Sequence, residues 1–223
     1  MTYSRYAIYF TPRPGALATA GADWLGWDIA RGKSATAFDA TLAKRPQKYG
    51  FHATIKAPFH LAQGQSQQTL CRALEQFCAH QARCRLDGLK VAQLGSFLAL
   101  CPIGATEHLN ALAASVVQDF DKYRAPLTDA ERTRKTRPNM TARQQEYLKR
   151  FGYPHVMDDF RFHMTLTGPV PKAQRDSVFE RARARFDPLL TKPMLIDCLT
   201  LVGQGSTGHF YEIERFDLTG MAD

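Results

Sequence analysis

The sequence predicts an α+β protein built from two similar halves. Two nine-residue segments, FHATIKAPF at 51–59 and FHMTLTGPV at 162–170, match at Phe, His, Thr and Pro in the same four positions. Their histidines, His52 and His163, lie 111 positions apart in a chain of 223 residues. Each segment precedes a helical pattern and then strand patterns, which is typical of a structural duplication.

Hydrophobic periodicity and turn residues predict the elements in order. Apart from the two repeated segments, strands are predicted at 3–10, 86–101 (as short strands), 194–202 and 209–218. Helices are predicted at 23–29, 65–83, 107–123, 141–151 and 172–186. The helix over 65–83 has the clearest pattern, because Leu70, Leu74 and Cys78 recur at helical spacing and Ser66 can cap its start.

The positive charge is concentrated in one segment. The formal net charge is +8, and residues 122–150 hold nine Lys or Arg against three Asp or Glu. The segment from about 124 to 158 also interrupts the repeat. We therefore expect a single bilobal domain over 1–223 with a basic insertion there. Such a cluster either attracts phosphate-bearing partners or forms a plain solvated face, and the sequence leaves both open.

Composition argues against several classes of protein. No stretch approaches the roughly 18 apolar residues of a membrane-spanning helix, and MTYSRYAIYF lacks the pattern of a signal peptide. A cytoplasmic location is the expectation. The five cysteines form no C-x-x-C pair, which disfavours a disulfide framework or a zinc knuckle. Without an H-x-H or H-E-x-x-H spacing either, no metal or other cofactor is expected.

Both repeated segments have one polar face, because side chains alternate along a strand. These faces carry His52, Thr54 and Lys56 in the first segment and Arg161, His163 and Thr165 in the second. Imidazole titrates near neutrality, so one histidine can accept a proton while another donates one. Hydrolysis of a phosphodiester needs such a pair, with hydroxyls and cations near the nonbridging oxygens.

H-A-T-I at 52–55 and H-M-T-L at 163–166 resemble the paired motifs of the 2H phosphoesterase superfamily, which includes RNA ligase-like cyclic phosphodiesterases. YAIYF, WLGWD, KYGFHATIKAPF, GYPHVMDDFRFHMTLTG and LVGQ further resemble a bacterial branch encoded with carbon–phosphorus lyase genes and described as phosphonate metabolism proteins. The resemblance implies two pseudo-symmetric lobes of antiparallel sheet, flanked by helices, around a central cleft. It also implies that His52 and His163 are the catalytic base and acid, and that Thr54 and Thr165 bind the phosphate.

Four other residues near the motifs are candidate substrate contacts. Lys56 and Arg161 share the polar faces by parity and either contact substrate phosphate or reach solvent. Tyr49 and Tyr153 precede the motifs and either stack on a sugar or base or pack in the core. The sequence does not assign the base and the acid, because the repeat makes the two histidines nearly equivalent.

Three functions remain open at this point. The first is metal-independent hydrolysis of a small sugar cyclic phosphate, and the gene context of the resembling branch favours 5-phosphoribosyl 1,2-cyclic phosphate. The second is an RNA-end 2′,3′-cyclic phosphodiesterase whose basic insertion follows the RNA backbone. The third is a noncatalytic phosphate- or nucleic-acid-binding module, against which two intact motifs argue. A small phosphorylated sugar is the expected partner, with RNA as the alternative; neither a membrane nor an obligate protein partner is expected.

Overall fold

The computed structural model describes residues 2–221, and that range contains eleven strands and seven α-helices. The strands are β1 (Tyr6–Phe10), β2 (Trp27–Asp28), β3 (Lys33–Ser34), β4 (Ala53–Phe59), β5 (Cys84–Leu86), β6 (Gly88–Leu94), β7 (Phe97–Ile103), β8 (Met164–Thr165), β9 (Met194–Ile196), β10 (Cys198–Gln204) and β11 (Phe210–Asp217). The helices are α1 (Ala16–Leu25), α2 (Ala40–Ala43), α3 (Gln67–Ala79), α4 (Glu107–Asp119), α5 (Asp129–Lys135), α6 (Ala142–Phe151) and α7 (Arg175–Phe186).

Seven of the strands form one antiparallel sheet in the order β11-β10-β1-β4-β8-β7-β6. The strands β11, β10, β1 and β4 form its first half, and β8, β7 and β6 form its second. The halves join where Ala53 of β4 pairs with Met164 of β8. The predicted α+β class is confirmed, and the two predicted lobes are two halves of a continuous sheet.

The helices cover one face of the sheet and build the main core with it. On β1, Tyr6, Ile8 and Phe10 belong to this core, whereas Tyr9 belongs to a smaller apolar cluster on the opposite face. The amphipathic helices α3 and α4 pack their predicted apolar faces against the core, and each fully buried leucine contributes about 1.5–3 kcal/mol. The core therefore fixes which face of the sheet stays open. No helix within residues 2–221 combines the length and apolar character needed to cross a bilayer.

Several predicted boundaries were wrong. The first helix is not at 23–29 but ends at Leu25, because Gly26 adopts φ 80° and terminates it. Its first turns are rich in alanine, so they lack the apolar period that would have revealed them. The predicted strand over 194–202 is divided at Asp197 into β9 and β10, which pair with different partners.

A β-bulge in β4 changes the direction of the side chains that follow it. Thr54 is paired with Tyr9, but Lys56 is paired with Ile8, so β4 advances two residues where β1 advances one. A bulge of this kind breaks the alternation of side chains between faces. Because Ile8 points into the main core, its partner Lys56 lies on the core side as well.

The predicted position of Lys56 on the polar face is therefore wrong. Its side chain is buried, its Nζ donates to the Val117 carbonyl of α4 at 3.1 Å, and the same atom lies 3.5 Å from Asp121 Oδ1. Arg124 also pairs with Asp121, at 2.8 Å. Lys56 therefore connects β4 to α4 directly and, through Asp121 and Arg124, to the start of the insertion.

The basic segment from 124 to 158 contains the helices α5 and α6, of which α6 packs on α4. The predicted helix at 141–151 is confirmed as α6, and Thr141 caps it. Phe151 and Val156 of this segment share an apolar cluster with Val117 of α4. The insertion is therefore anchored beside the carboxyl end of α4.

Lys56 supplies a test of this arrangement. Burial lowers the pKa of Lys56 to about 8, although Asp121 partly offsets the effect. Between that value and the ordinary value of about 10.4 the unfolded chain binds more protons, so the free energy of unfolding rises with pH there. We expect Lys56→Met to remove a rise of roughly 1–3 kcal/mol between pH 7.5 and 10.

Urea unfolding at the two pH values measures this rise. The exposed Lys172→Met variant is the matched control and should keep the wild-type pH dependence. An unchanged dependence in Lys56→Met would contradict a buried, protonated Lys56.

Candidate active site

The pairing of Ala53 with Met164 places the two motifs side by side. In an antiparallel pair the neighbours on either side also face each other. The two facing pairs are His52 with Thr165 and Thr54 with His163. All four are partly exposed, whereas Ala53 and Met164 are buried in the core, so the four share the open face. The histidines are diagonal neighbours, which corresponds to about 7–8 Å between Cα atoms.

His52 is held in one orientation and one tautomer. Its Nδ1 lies 2.9 Å from the Gly50 carbonyl, and because a carbonyl only accepts, Nδ1 carries the proton. Its Nε2 lies 3.1 Å from Thr54 Oγ1 and accepts that hydroxyl's hydrogen. Gly50 has φ 71°, and a Cβ there would lie 2.6 Å from Ile29 Cβ, so this turn requires glycine. The neutral ring therefore directs Nε2 toward Thr54, which shares the open face with it.

His163 repeats the same contact in the second half. Its Nδ1 donates to the Arg161 carbonyl at 2.7 Å, again the residue two positions earlier. Arg161 is exposed, so its backbone orients the histidine while its guanidinium stands at the rim. The nearest aromatic neighbour is Phe97, with ring centroids 5.8 Å apart. His163 is thus oriented like His52 but is less enclosed.

Aromatic rings enclose His52. The Tyr9 ring stacks on the imidazole with a centroid distance of 3.8 Å and an angle of 22°, and Tyr49 lies 6.2 Å away. Burial lowers the pKa of His52 to about 4; the Gly50 carbonyl opposes this, and the charge of His163 lowers the pKa further. At neutral pH His52 is therefore an uncharged imidazole. Sequence reasoning missed Tyr9, because YAIYF has the pattern of an ordinary core strand.

A cleft of about 350 Å³ opens beside His52 between the two halves. Besides His52, it is lined by Arg45, Pro46, Tyr49, Ser96, Phe97, Thr165, Thr167, Gly168 and Pro169. The structure thus brings His52, Thr165 and the predicted Tyr49 together in one cavity. Arg45 was not predicted, because it lies in a loop whose position depends on a hydrogen bond from the Gly168 amide to the Leu42 carbonyl, 2.6 Å.

Tyr153 reaches the same region from the insertion. It packs against the apolar cluster beside α4. Burial raises the pKa of Tyr153, and the neighbouring Tyr49 phenol raises it further. The two candidate tyrosines therefore lie near each other, and Tyr153 also lines a small pocket together with the buried Lys56.

The acidic pair before the second motif is used in ion pairs. Arg143 binds Asp159 at 2.9 Å and lies 3.8 Å from Asp158. Among residues 2–221, no group of three or more His, Cys, Asp or Glu side chains is placed to hold a metal ion.

Paired H-x-T motifs on adjacent central strands of an antiparallel sheet define the class of protein that the motifs resemble, the 2H phosphoesterases. The particular family is DUF1045, described as a protein of unknown function, to which the chain belongs. The family model matches residues 54–211, a range that includes Thr54, His163 and Thr165 and begins just after His52.

Two curated relatives are longer than this chain. A ribose 1,5-bisphosphate phosphokinase PhnN of Janthinobacterium sp. (strain Marseille) is 35% identical over 99% of this chain and 52% of its own length. A protein of the same name from Laribacter hongkongensis (strain HLHK9) is 32% identical over 95% and 51% respectively. The chain spans about half the length of these relatives.

Two solved structures match along nearly their whole length. One is TT0787 of Thermus thermophilus, with a TM-score of 0.46 and 15% identity over 98% of this chain and 100% of the other. The second is a crystal structure of a phosphoesterase, with a TM-score of 0.44 and 14% identity over 98% and 99%. At this level of sequence identity, the role of a residue in either structure cannot be assigned to a residue of this chain.

The electrostatic interaction between the two neighbouring histidines predicts a coupled titration. Replacing His163 with neutral glutamine should raise the pKa of His52, because the positive charge that opposes its protonation is removed. NMR titration of the His52 imidazole measures the shift. The matched control is His209→Gln, since His209 packs against Trp27 with ring centroids 4.3 Å apart and takes no part in the pair. Equal His52 titrations in both variants would show that the motifs do not adjoin.

Proposed function

We propose that this chain is a phosphoesterase that hydrolyses a cyclic phosphodiester by general acid–base catalysis with His52 and His163. The observation that carries the proposal is the β4–β8 register, which sets two imidazoles and two threonine hydroxyls as facing pairs on one open face. A phosphorus atom between diagonal neighbours has one imidazole on each side. In-line displacement requires that arrangement.

The bond changes can be assigned to named atoms. Nε2 of His52 removes a proton from water as the water oxygen forms a bond to phosphorus. The bond from phosphorus to one ring oxygen breaks, and His163 donates a proton to that oxygen. The product is a phosphate monoester beside a free sugar hydroxyl, and no other reactant is consumed.

The different surroundings of the histidines favour this assignment of roles. A base must be uncharged before the reaction, and enclosure keeps His52 neutral. Its Nε2 accepts from the Thr54 hydroxyl, and it becomes free to take a proton from water when that hydroxyl turns to the phosphate. His163 is more open, so it can exchange protons with water. Thr54 and Thr165 stand beside the histidines, where their hydroxyls donate to the nonbridging oxygens as charge develops.

Sugar phosphates are the favoured substrate class. The cleft of about 350 Å³ has the size of a small-molecule site. The relatives named as ribose 1,5-bisphosphate phosphokinases act, by their names, on a phosphorylated pentose, and half of their length corresponds to this chain. Together with the resemblance to phosphonate metabolism proteins, this favours 5-phosphoribosyl 1,2-cyclic phosphate.

The kinase activity in those names is not assigned to this half. Gly26 and Gly32-Lys33-Ser34 come near the phosphate-binding G-x-x-x-x-G-K-S motif, but five residues separate the glycines instead of four. Lys33–Ser34 form β3, which pairs with β2 in a hairpin, whereas the motif opens a helix.

An RNA-end 2′,3′-cyclic phosphodiesterase is the second candidate, favoured by the basic insertion. Several RNA phosphates bound along that surface would make the affinity fall steeply with salt, whereas one or two phosphates in a cleft give a shallow slope. A noncatalytic binding module would bind such ligands without turnover.

Phosphorus NMR tests the function and the substrate class together. Purified protein is incubated with 5-phosphoribosyl 1,2-cyclic phosphate, with nucleoside 2′,3′-cyclic phosphates and with a short RNA that ends in a cyclic phosphate. We expect the sugar compound to open fastest. Preference for the RNA would replace the proposal with the second candidate, and binding without hydrolysis of any compound would leave the noncatalytic module.

Single replacements test the two roles. His52→Ala and His163→Ala should each reduce turnover by roughly two to four orders of magnitude, the usual contribution of positioned acid–base groups. Circular dichroism should show a folded protein, since both side chains lie at the open face. Turnover should persist in EDTA, and loss in EDTA with recovery on adding a divalent metal would refute metal-independent catalysis.

The pH dependence of kcat/KM reports the pKa values of the catalytic groups in the protein without bound substrate. Burial lowers the pKa of His52 to about 4. The midpoint of the acidic limb should therefore lie at a pH well below the ordinary histidine pKa of about 6.5. The exposed Lys172→Met variant is the control and should keep the same limb. An acidic limb near 6.5 in the wild type would contradict an enclosed base.

A further inference from the structure

Three tyrosines from distant parts of the chain gather beside His52. Tyr9 stacks on this imidazole, and the rings of Tyr9 and Tyr49 lie 6.0 and 5.4 Å from Phe210. Burial raises the pKa of Tyr9, and the phenols of Tyr49 and Tyr153 raise it further. The rings of Tyr9 and Tyr49 therefore lie beside the imidazole with the Tyr153 phenol near them, and Tyr49 connects the group to the cleft described above.

Within residues 2–221, the hydroxyls of these three tyrosines form no hydrogen bond. Elsewhere in the chain, the phenols of Tyr6 and Tyr147 donate to side chains, at 3.4 and 3.3 Å. The Tyr9 side chain is only 1% exposed, but its oxygen is not among the fully buried atoms of the described chain that lack a partner, so this hydroxyl can still be reached. Three neutral O–H donors grouped in this way fit a ligand that supplies several acceptor oxygens.

Arg5 adds a fixed positive charge to the group. Its Nε donates to Gln204 Oε1 at 2.7 Å, and its guanidinium carbon lies 5.8 Å from the centre of the Phe210 ring. Its charge lowers the pKa of Tyr9, against the effect of burial. No carboxylate lies within 4.0 Å of Arg5 in the described chain, so its charge is unmatched.

Lys135 brings a second positive charge from the insertion. Its Nζ donates to the Gly152 carbonyl at 2.7 Å, directly before Tyr153 in the chain. Burial lowers the pKa of Lys135; Glu131 opposes this, and Arg5 is among the cations that lower it further. The positive charges of Arg5 and Lys135 therefore repel each other, and a bound anion would relieve that repulsion.

We propose that Tyr9, Tyr49, Tyr153, Arg5 and Lys135 form a second subsite, which binds a phosphate monoester carried by the substrate away from its cyclic phosphate. A phosphate monoester is a dianion with three acceptor oxygens. Phenol donors and two cations match both its charge and its hydrogen-bonding capacity. The inference rests on the proposed function and restricts its substrates to cyclic phosphates that carry a second phosphate.

The experiment compares two substrates that differ only at this group, namely ribose 1,2-cyclic phosphate with and without a 5-phosphate. The quantity measured is the ratio of their kcat/KM values. Arg5→Met and Tyr153→Phe should each lower this preference for the 5-phosphate about tenfold or more, because each removes a donor to a charged group. Two variants are used so that one failure to fold does not decide the result.

Matched controls are Arg181→Met and Tyr147→Phe. Arg181 stacks over Phe38 at 3.9 Å on another surface. Tyr147 packs in the same apolar cluster as Tyr153, but its hydroxyl already donates to Asp158. Both controls should keep the wild-type ratio. A ratio equally affected in controls and subsite variants, or unchanged in both subsite variants, would overturn the second subsite.

A binding measurement separates failure of the subsite from failure of the proposed hydrolysis. Titration calorimetry with ribose 5-phosphate needs no turnover and should show binding that Arg5→Met and Tyr153→Phe weaken about tenfold or more. If neither cyclic compound is hydrolysed but this binding is seen, the proposed function fails and the subsite stands. If hydrolysis occurs without such binding, the subsite fails alone.

Discussion

The candidate site depends on one point of contact, the pairing of Ala53 with Met164 between the two central strands. A shift of one residue would turn one motif toward the core, because alternate side chains point to opposite faces. With only two residues in β8, the pairing needs support from outside the ladder. Trp24 Nε1 donates to the Leu166 carbonyl at 2.9 Å, and this bond ties the second motif to α1. The register is thus held by side chains of the first half.

Much of the fold was predictable because local patterns dictate it. The amphipathic helices and the two motif segments follow from spacing alone, and the antiparallel sheets follow from the resemblance. The direct pairing of the two motif strands was not predicted. Lys56 was misplaced because a bulge is set by the pairing of two strands, which one strand's alternation does not reveal. The length of β8 and the limits of α1 were missed for a similar reason, since a hydrogen-bond partner and a glycine conformation decide them.

The site itself was predictable only in part. A repeated H-x-T motif is easily recognised in a sequence. Tyr9, in contrast, lies in a strand whose apolar residues predict only a place in the core. Its importance arises from tertiary packing, because the open face of β1 stands next to His52. The same packing breaks the near symmetry of the halves: one imidazole is covered by a phenol ring and the other faces Phe97 at a longer distance. Sequence repetition suggested equivalent histidines, and their environments make them unequal.

Each imidazole has its Nδ1 occupied by a backbone carbonyl, so only one nitrogen per ring can exchange protons. Under the proposed mechanism, one turnover leaves the ring at 52 protonated and the ring at 163 without its proton. The Nδ1 atoms cannot pass a proton from one ring to the other, because each is hydrogen-bonded to a backbone carbonyl. Water must therefore return both histidines to their starting protonation states between cycles. Before that happens, the protonation states left by hydrolysis are those needed for the reverse reaction, in which the sugar hydroxyl closes the cyclic phosphate again.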